Sequence, residues 1–299
     1  MSALPWVLAT LIASAAQTGR NAAQASLTRT IGTVGATQVR FLFGLPFAIL
    51  FLALVRLVSG EAIPTITPRA IGFITLGALA QIAATALMLR VMQSRSFAMT
   101  TAWINTEPVI LAIGAAVVLR DPLSPAALLA IAIATLGVVV MSFKPGAALH
   151  LREAGPAING LLAAGFFGAA AIGFRGGIIA FPDGGFVIRA STALVLGLTI
   201  QSSLLLLWMI AFDRAAIRAS LGVWRTSLGA GFLGAFASQF WFIGFALTSA
   251  ANVRTWALVE VVMAQAVSRF IFRQPVSARQ MAGMALIILG VGLLLNAQP

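Results

Sequence analysis

The sequence predicts an all-α integral membrane protein in which ten transmembrane helices form two inverted five-helix repeats around a central cavity. Three observations predict this fold: an apolar composition, ten long apolar segments and an internal repeat. Of the 299 residues, 60% are hydrophobic and 9% are charged, whereas about a quarter of the residues of a soluble domain are charged. Seven acidic and nineteen basic side chains are too few to cover a water-exposed surface of this size.

Ten apolar segments follow one another, each long enough to cross a membrane as a helix. Short connections rich in Pro, Gly and charged residues separate them, as at 120–122 and 144–146. Ten such helices use nearly the whole chain, so we expect no extramembrane domain. The predicted spans are 4–27, 33–57, 69–92, 97–119, 125–143, 156–179, 185–212, 226–247, 250–272 and 280–296.

An internal repeat relates the two halves of the chain. A shift of 153 residues pairs Trp103 with Trp256, Glu107 with Glu260, Val109 with Val262, Arg120 with Arg273, Pro122 with Pro275, Ser124 with Ser277, Gly137 with Gly290 and Val138 with Val291. The predicted domains are a first repeat at 1–147, a connecting loop at 148–153 and a second repeat at 154–299. Because each half has an odd number of spans, the second half enters the membrane upside down. Inverted repeats are typical of transporters, which bind substrate near the membrane midplane; the alternative is a duplication within another kind of membrane protein.

The region around span four resembles a known family. The stretch 105–109, which reads Asn-Thr-Glu-Pro-Val, the acidic Asp121 and the Gly-Val pair at 137–138 resemble the drug/metabolite transporter superfamily. The resemblance is to its ten-helix permeases with two five-helix repeats, and within them to bacterial exporters of aromatic amino acids. The second half departs from the pattern at Val261, where a proline is expected, and at Gln274, where an acid is expected.

This resemblance implies a multi-pass protein of the bacterial inner membrane that exports small amphipathic metabolites, such as aromatic or hydrophobic amino acids. It also implies cytoplasmic termini. The distribution of basic residues favours the opposite orientation, since most arginines in the connections lie on the side away from the termini. We follow the resemblance, because several of these arginines can be buried partners of acidic groups rather than topology signals.

Span one carries a polar face along its whole length. Its members recur at helical spacing and are Thr10, Ser14, Gln17, Asn21, Gln24 and Thr28. Amide groups that face lipid lose their hydrogen bonds, so this face must contact protein or a water-filled cavity. Hydrogen bonds between helices are the alternative explanation. We favour a cavity lining, because three amides and three hydroxyls exceed what helix packing usually requires.

Other polar and aromatic residues in spans three, four, eight and nine extend this predicted cavity. An aromatic and amide lining suits a solute with an apolar body and a polar head, although each tryptophan alone is as well explained by packing. The candidate substrate-binding residues are Gln17, Asn21, Gln24, Gln81, Thr85, Trp103, Glu107, Gln239, Trp241, Trp256 and Glu260.

Two acidic residues, Glu107 and Glu260, lie in the middle of predicted spans, where an unpaired charge costs at least ~2.5 kcal/mol. We expect each to be held in a structural ion pair or to accept hydrogen bonds from neighbouring helices; contact with a substrate ammonium group and proton coupling are the alternatives. The candidate partners are Arg20, Arg40, Arg175, Arg189 and Arg269. Pro108 predicts a kink in span four, and Val261 predicts that span nine has none.

The composition excludes several functions. The chain has no Cys and one His, which excludes thiol nucleophiles, Cys–His metal sites and histidine-centred triads, so we expect no metal and no cofactor. Its bases are scattered singly between apolar runs, which argues against a nucleic-acid partner. The expected partners are a small-molecule substrate and the lipid bilayer, and the protein is a monomer or a weak homodimer through the polar-poor spans five and ten. The alternatives are export of another metabolite or drug with proton coupling, a lipid-modifying membrane enzyme, and a channel or receptor.

Overall fold

The computed structural model describes residues 4–94, 104–120, 124–142, 154–259, 261 and 277–296. Within these residues the regular secondary structure is helical, with no β-strand. The helices, numbered in chain order, are α1 (Leu4–Leu42), α2 (Leu45–Ser59), α3 (Pro68–Ser94), α4 (Glu107–Val118), α5 (Pro125–Ser142), α6 (Ala154–Ile179), α7 (Phe186–Phe212), α8 (Arg214–Gly222), α9 (Trp224–Leu247), α10 (Ala250–Trp256) and α11 (Ala278–Asn296).

Five of the described stretches are long and apolar enough to cross a membrane. They are Ser26–Ser59, Pro68–Gln93, Ile158–Ile179, Phe186–Phe212 and Trp224–Leu247. Shorter apolar helices occupy Glu107–Val118, Pro125–Val140 and Ala278–Leu294. The ends of α3, α5, α6, α7, α9 and α11 lie within a few residues of the corresponding predicted spans, whereas α1 continues past the predicted boundary between spans one and two. The protein is therefore a multi-pass membrane protein, and its described part is built from helices.

The chain reverses direction inside α1. Gly32 has a φ of 72°, a left-handed conformation that glycine adopts without steric cost. The Gln24 side chain donates from Nε2 to the carbonyl oxygen of Ala36 at 2.9 Å. In a straight helix twelve residues span about 18 Å, so this bond requires a hairpin. Residues 4–31 and 33–42 thus form two arms, as the separate predicted spans one and two require.

The three most extensive helix–helix contacts are those of α1 with α9, α3 with α6, and α5 with α11. Small residues allow the backbones to approach closely. A Cβ atom on Gly137 would lie 2.6 Å from the carbonyl oxygen of Gly283, and one on Gly290 would lie 2.4 Å from the amide nitrogen of Ala134. Since α5 and α11 contact mainly each other, they occupy the periphery, with apolar side chains such as Leu129 and Ile288 exposed.

An additional short helix, α8, lies between α7 and α9. Asp213 caps its N-terminus by accepting a hydrogen bond from the amide of Ala216 at 3.1 Å. The helix exposes Arg218 and Leu221 and buries Ala216, a pattern typical of helices at a membrane–water interface. The sequence pattern predicts only a connection here, because the segment is too short and polar to span the bilayer.

The α2–α3 and α6–α7 connections are joined by hydrogen bonds. The Asp183 carboxylate accepts from the amide and hydroxyl groups of Thr65, both at 2.8 Å. The Glu61 carboxylate accepts from the amide of Gly185 at 2.6 Å. We call these two carboxylates and their partners the loop latch. It holds two connections that are distant in sequence at the same face of the bundle.

Predicted spans four and nine are both interrupted. A turn at 105–106 precedes α4, which begins at Glu107 and Pro108. A second turn at 257–258 follows α10, where the amide of Leu258 donates to the carbonyl of Thr255 three residues back. The expectation that span nine lacks a break is therefore wrong. A proline is not required, because short-range bonds of the 3₁₀ type interrupt a helix without one.

Candidate functional site

A buried cavity lies between the helices, with about 60 Å³ of space for the centres of water molecules. This volume holds only a few waters. Both arms of α1, the helices α3, α6, α9 and α10, and the start of α4 contribute to its wall. The described lining residues are Gln17, Arg20, Asn21, Arg40, Gln81, Met88, Met92, Ile104, Asn105, Glu107, Phe167, Ala170, Ala171, Phe174, Ser238, Trp241, Phe242, Phe245 and Arg254.

An ion pair closes one side of the cavity. Arg254 Nε lies 3.1 Å from Glu107 Oε1, and the two side chains are 12% and 7% exposed. The guanidinium carbon of Arg254 lies 4.3 Å from the ring centroid of Trp241, a cation–π distance. The pair joins the two interrupted spans, because Glu107 begins α4 and Arg254 lies in α10. It keeps a carboxylate stable in an environment where a bare charge is costly.

The partner of Glu107 is thus not one of the five arginines that the sequence analysis names. Arg20 and Arg40 line the same cavity, whereas Arg175 donates to the carbonyl oxygens of Phe245 and Thr248. Arg189 lies partly buried in the first turn of α7, and Arg269 lies outside the described residues. Arg254 is a lining residue that the sequence reasoning missed, although an arginine inside the apolar run 250–272 is a signal that could have found it.

The amide side chains of the cavity are fixed by protein donors. Gln17 Oε1 accepts from Trp241 Nε1 at 3.0 Å, and Gln81 Oε1 accepts from Gln201 at 2.9 Å. Asn21 Oδ1 accepts from the Arg20 guanidinium group at 2.7 and 3.2 Å. In each case the amide oxygen already accepts a hydrogen bond from another protein group, so the NH₂ group is the end of the side chain that can donate to a ligand.

Four of the predicted site residues lie outside the cavity lining. Thr85 accepts a hydrogen bond from Arg40 at 3.0 Å, and Gln239 donates to Ser191 at 3.0 Å. Trp256 packs edge-on against Trp6, with ring centroids 6.3 Å apart. Gln24 is bonded across the α1 hairpin. These side chains connect helices and orient lining residues.

The remaining predicted site residues divide into two groups. The structure brings five of them together around the cavity, namely Gln17, Asn21, Gln81, Glu107 and Trp241. Trp103 and Glu260 lie outside the described residues. The polar face of span one therefore has two roles: its central amides border the cavity, and its two ends pack against protein.

Comparison with known proteins supports a transport function for this arrangement. Residues 157–296 match the EamA-like transporter family, over just under half of the chain. This part of the chain is similar to the EamA-like transporter family. The family consists of membrane transporters of the drug/metabolite transporter superfamily and is not an enzyme family. No curated protein matches the sequence.

Solved structures extend the likeness from residues 157–296 to the whole chain at the level of the fold. One crystal structure of another protein matches with a TM-score of 0.65 and 16% identity, over 96% of this chain and 98% of the other. At this identity the likeness concerns the fold alone. The two chains share their architecture over nearly their full length, including the part that precedes the family match.

Proposed function

We propose that the protein exports small amphipathic metabolites, in particular aromatic or hydrophobic amino acids, across the bacterial inner membrane by alternating access. The observation that carries this proposal is the buried cavity and its composition. Aromatic and thioether side chains suit an apolar body, and arginines, amides and Glu107 suit a charged head. The similarity of residues 157–296 to the EamA-like transporter family makes a transported solute the natural occupant of such a cavity.

Two inverted five-helix repeats, at 1–147 and 154–299 with a connecting loop at 148–153, form the proposed architecture. The α5–α11 contacts support it. A shift of 153 residues maps Ala130 onto Gly283 and Ala134 onto Ile287. Gly137 closely approaches Gly283 and Ile287 in the second half. Gly290 closely approaches Ala130 and Ala134, the corresponding residues of the first half. Each contact therefore has a counterpart when the halves are exchanged, as a two-fold axis requires. The family match beginning at 157 supports the second boundary.

Alternating access follows from the size of the cavity and from the helix breaks. Ligand pockets for small molecules are usually several hundred Å³ in volume, so this cavity must expand to admit an amino acid. The breaks before Glu107 and after Trp256 lie beside the cavity, where a short non-helical stretch permits the halves of a span to move separately. In the conformation in which the loop latch is formed, we regard the cavity as closed toward the side of the membrane on which the α2–α3 connection lies.

The remaining features of the proposal concern orientation and assembly. We place both termini in the cytoplasm, as the family resemblance implies. The exposed apolar faces of α5 and α11 favour lipid contact or a weak homodimer. A reporter fused to the C-terminus tests the orientation, because a reporter active only outside the membrane would reverse it.

Proton-coupled export of another metabolite or a drug is the second candidate. One observation favours coupling: Glu107 is a buried carboxylate at the cavity wall. The first span contains no acidic residue, although the small four-helix relatives in the superfamily place their coupling glutamate there. Facilitated or gradient-driven export is therefore the simpler mechanism.

Tolerance of a toxic amino acid analogue tests the proposed substrate. Cells that overproduce the protein should survive a higher concentration of fluorinated phenylalanine than cells with an empty vector, because export lowers the internal concentration. The matched direct assay is uptake of labelled phenylalanine by liposomes that contain the purified protein. Equal sensitivity of the two strains, with the protein confirmed in the membrane fraction, would remove this substrate.

A further inference from the structure

The cavity carries an excess of positive charge. Arg20, Arg40 and Arg254 all line it, and Glu107 is the carboxylate among the described lining residues. Among the described lining residues, basic side chains therefore outnumber acidic ones. The other described acidic residues, Glu61, Asp183 and Asp213, lie in connections between helices.

Three guanidinium groups around one small cavity repel each other strongly, because the membrane interior screens charge weakly. Arg20 is 1% exposed and Arg40 is 3% exposed, so bulk water does little to offset this repulsion. Glu107 compensates the charge of Arg254, whereas the hydrogen-bond partner of Arg40 among the described residues is the neutral hydroxyl group of Thr85. A bound anion would compensate the charge of Arg40, which gives an anionic ligand a favourable electrostatic energy that a cation lacks.

The hydrogen-bonding groups of the cavity also favour a negatively charged ligand. The oxygens of Gln17, Asn21 and Gln81 already accept bonds from protein donors. Their NH₂ groups donate to no other described residue. Asn105 adds a further donor, because its buried Nδ2 atom has no hydrogen-bond partner among the described residues. Donor groups therefore outnumber available acceptors around the cavity, which suits an oxyanion.

Another part of the wall is apolar. It is lined by Phe167, Phe174, Phe242 and Met88. A ligand that satisfies both parts has an acidic head and an aromatic or aliphatic body.

We propose that the cavity selects its solute by a carboxylate head group, held by Arg40 and by the cavity amides, and that an ammonium group is not required. This inference deepens the proposed function, on which it rests, by naming the chemical group that decides specificity. It predicts that aromatic carboxylic acids without an amino group are ligands and that aromatic amines are poor ones.

A matched pair of probes tests this selection. 3-Phenylpropionate is phenylalanine without the amino group, and phenethylamine is phenylalanine without the carboxylate. In liposomes that contain the protein, phenylpropionate should inhibit uptake of labelled phenylalanine at a concentration about ten-fold lower than phenethylamine, given the energy of charge-assisted hydrogen bonds. Equal inhibition, or stronger inhibition by phenethylamine, would overturn the proposal.

Three variants test whether Arg40 causes this preference. Arg40→Gln removes one cavity charge, retains a donor for Thr85 and leaves the Glu107–Arg254 pair intact. We expect it to reduce the preference for phenylpropionate to about two-fold or less. Arg56→Gln is the control, because Arg56 is exposed at the end of α2, away from the cavity. Arg40→Lys should keep the preference. An unchanged preference in folded Arg40→Gln protein would exclude Arg40 from the site.

A binding measurement separates this inference from the proposed function. The thermal unfolding temperature of the detergent-solubilised protein is recorded with each probe at the same concentration. Stabilisation by phenylpropionate alone supports the carboxylate site even where phenylalanine uptake is absent, in which case only the proposed substrate fails. Stabilisation by phenethylamine alone, or equal stabilisation by both, contradicts the carboxylate site, even where phenylalanine uptake is present.

Discussion

At the scale of single residues, the Glu107–Arg254 pair is the feature that most constrains the site. Its atoms lie 3.1 Å apart in a region that excludes most water, and Trp241 covers the arginine. Removing one member of a buried pair typically costs about 3–5 kcal/mol, because the other charge stays without compensation. The pair is therefore expected to matter for folding as well as for the solute.

Substitutions of Glu107 separate these two roles. Glu107→Ala should lower the yield of folded protein and its unfolding temperature, because it leaves Arg254 without its partner. Glu107→Gln keeps the size and an acceptor oxygen, and most of the transport activity should survive. The measurements are size-exclusion elution, thermal unfolding and phenylalanine uptake. A well-folded Glu107→Gln protein without transport would contradict a purely structural role and favour proton coupling or substrate contact.

Cysteine accessibility tests the division of the span-one polar face. The chain has no native Cys, so single cysteines at 17, 21, 24 and 12 are unambiguous. We expect Cys at Gln17 and Asn21 to react with a small water-soluble thiol reagent, since both positions border the cavity. Cys at Gln24, which is fully buried, and at Ile12, on a different helical face, should react much more slowly. Equal protection at all four positions would mean that water does not reach the cavity.

At the scale of elements, the sequence predicts where helices lie better than how their side chains meet. Apolar runs define the spans, and the internal repeat by itself singles out Gly137 and Gly290. Gln17 and Gln24 are indistinguishable in the sequence, since both lie on one polar face. They differ only because the chain reverses at Gly32 and places the second arm beside Gln24. The partner of Glu107 cannot be predicted from the sequence either, because Arg254 is distant in sequence and the contact depends on which helices pack together.

The α5–α11 crossing yields a prediction with a control in the same helix. Gly290→Ala should destabilise the protein by about 1–3 kcal/mol, because the added methyl group overlaps the backbone of α5. Gly292→Ala should not destabilise it, since a Cβ atom at Gly292 meets nothing within 4 Å. The unfolding temperatures of the two purified variants provide the comparison. Equal temperatures would show that the two helices do not cross at Gly290.

At the scale of the whole molecule, the loop latch connects two helical hairpins that are otherwise separate in sequence. The hydrogen bonds from Thr65 lower the pKa of Asp183 below its ordinary value of 3.8. Because the pKa is lower in the folded state, the stabilisation is present above the ordinary value and is lost as the pH falls through the folded value. Acid should therefore weaken the latch.

The acid response of Asp183→Asn tests this linkage. The variant should be less stable than the unmodified protein near neutral pH, because one acceptor oxygen is lost. Its unfolding temperature should then decline less as the pH is lowered below about 4, since the titrating group is absent. Other carboxylates contribute equally to both proteins, so the difference between the two curves reports Asp183 alone. Parallel curves would show that the latch does not titrate.

The pairing of α1 with α9 and of α3 with α6 also governs how the protein is made. Synthesis delivers the N-terminal helices first, but their main neighbours follow more than 100 residues later in the case of α1. Arg20, Arg40 and the amides of α1 therefore enter the bilayer before the groups that will cover them are translated. We expect the newly inserted N-terminal segment to depend on lipid headgroups, water or an insertion factor until α9 arrives, and a chain truncated before α9 to be degraded rather than to persist as a folded half.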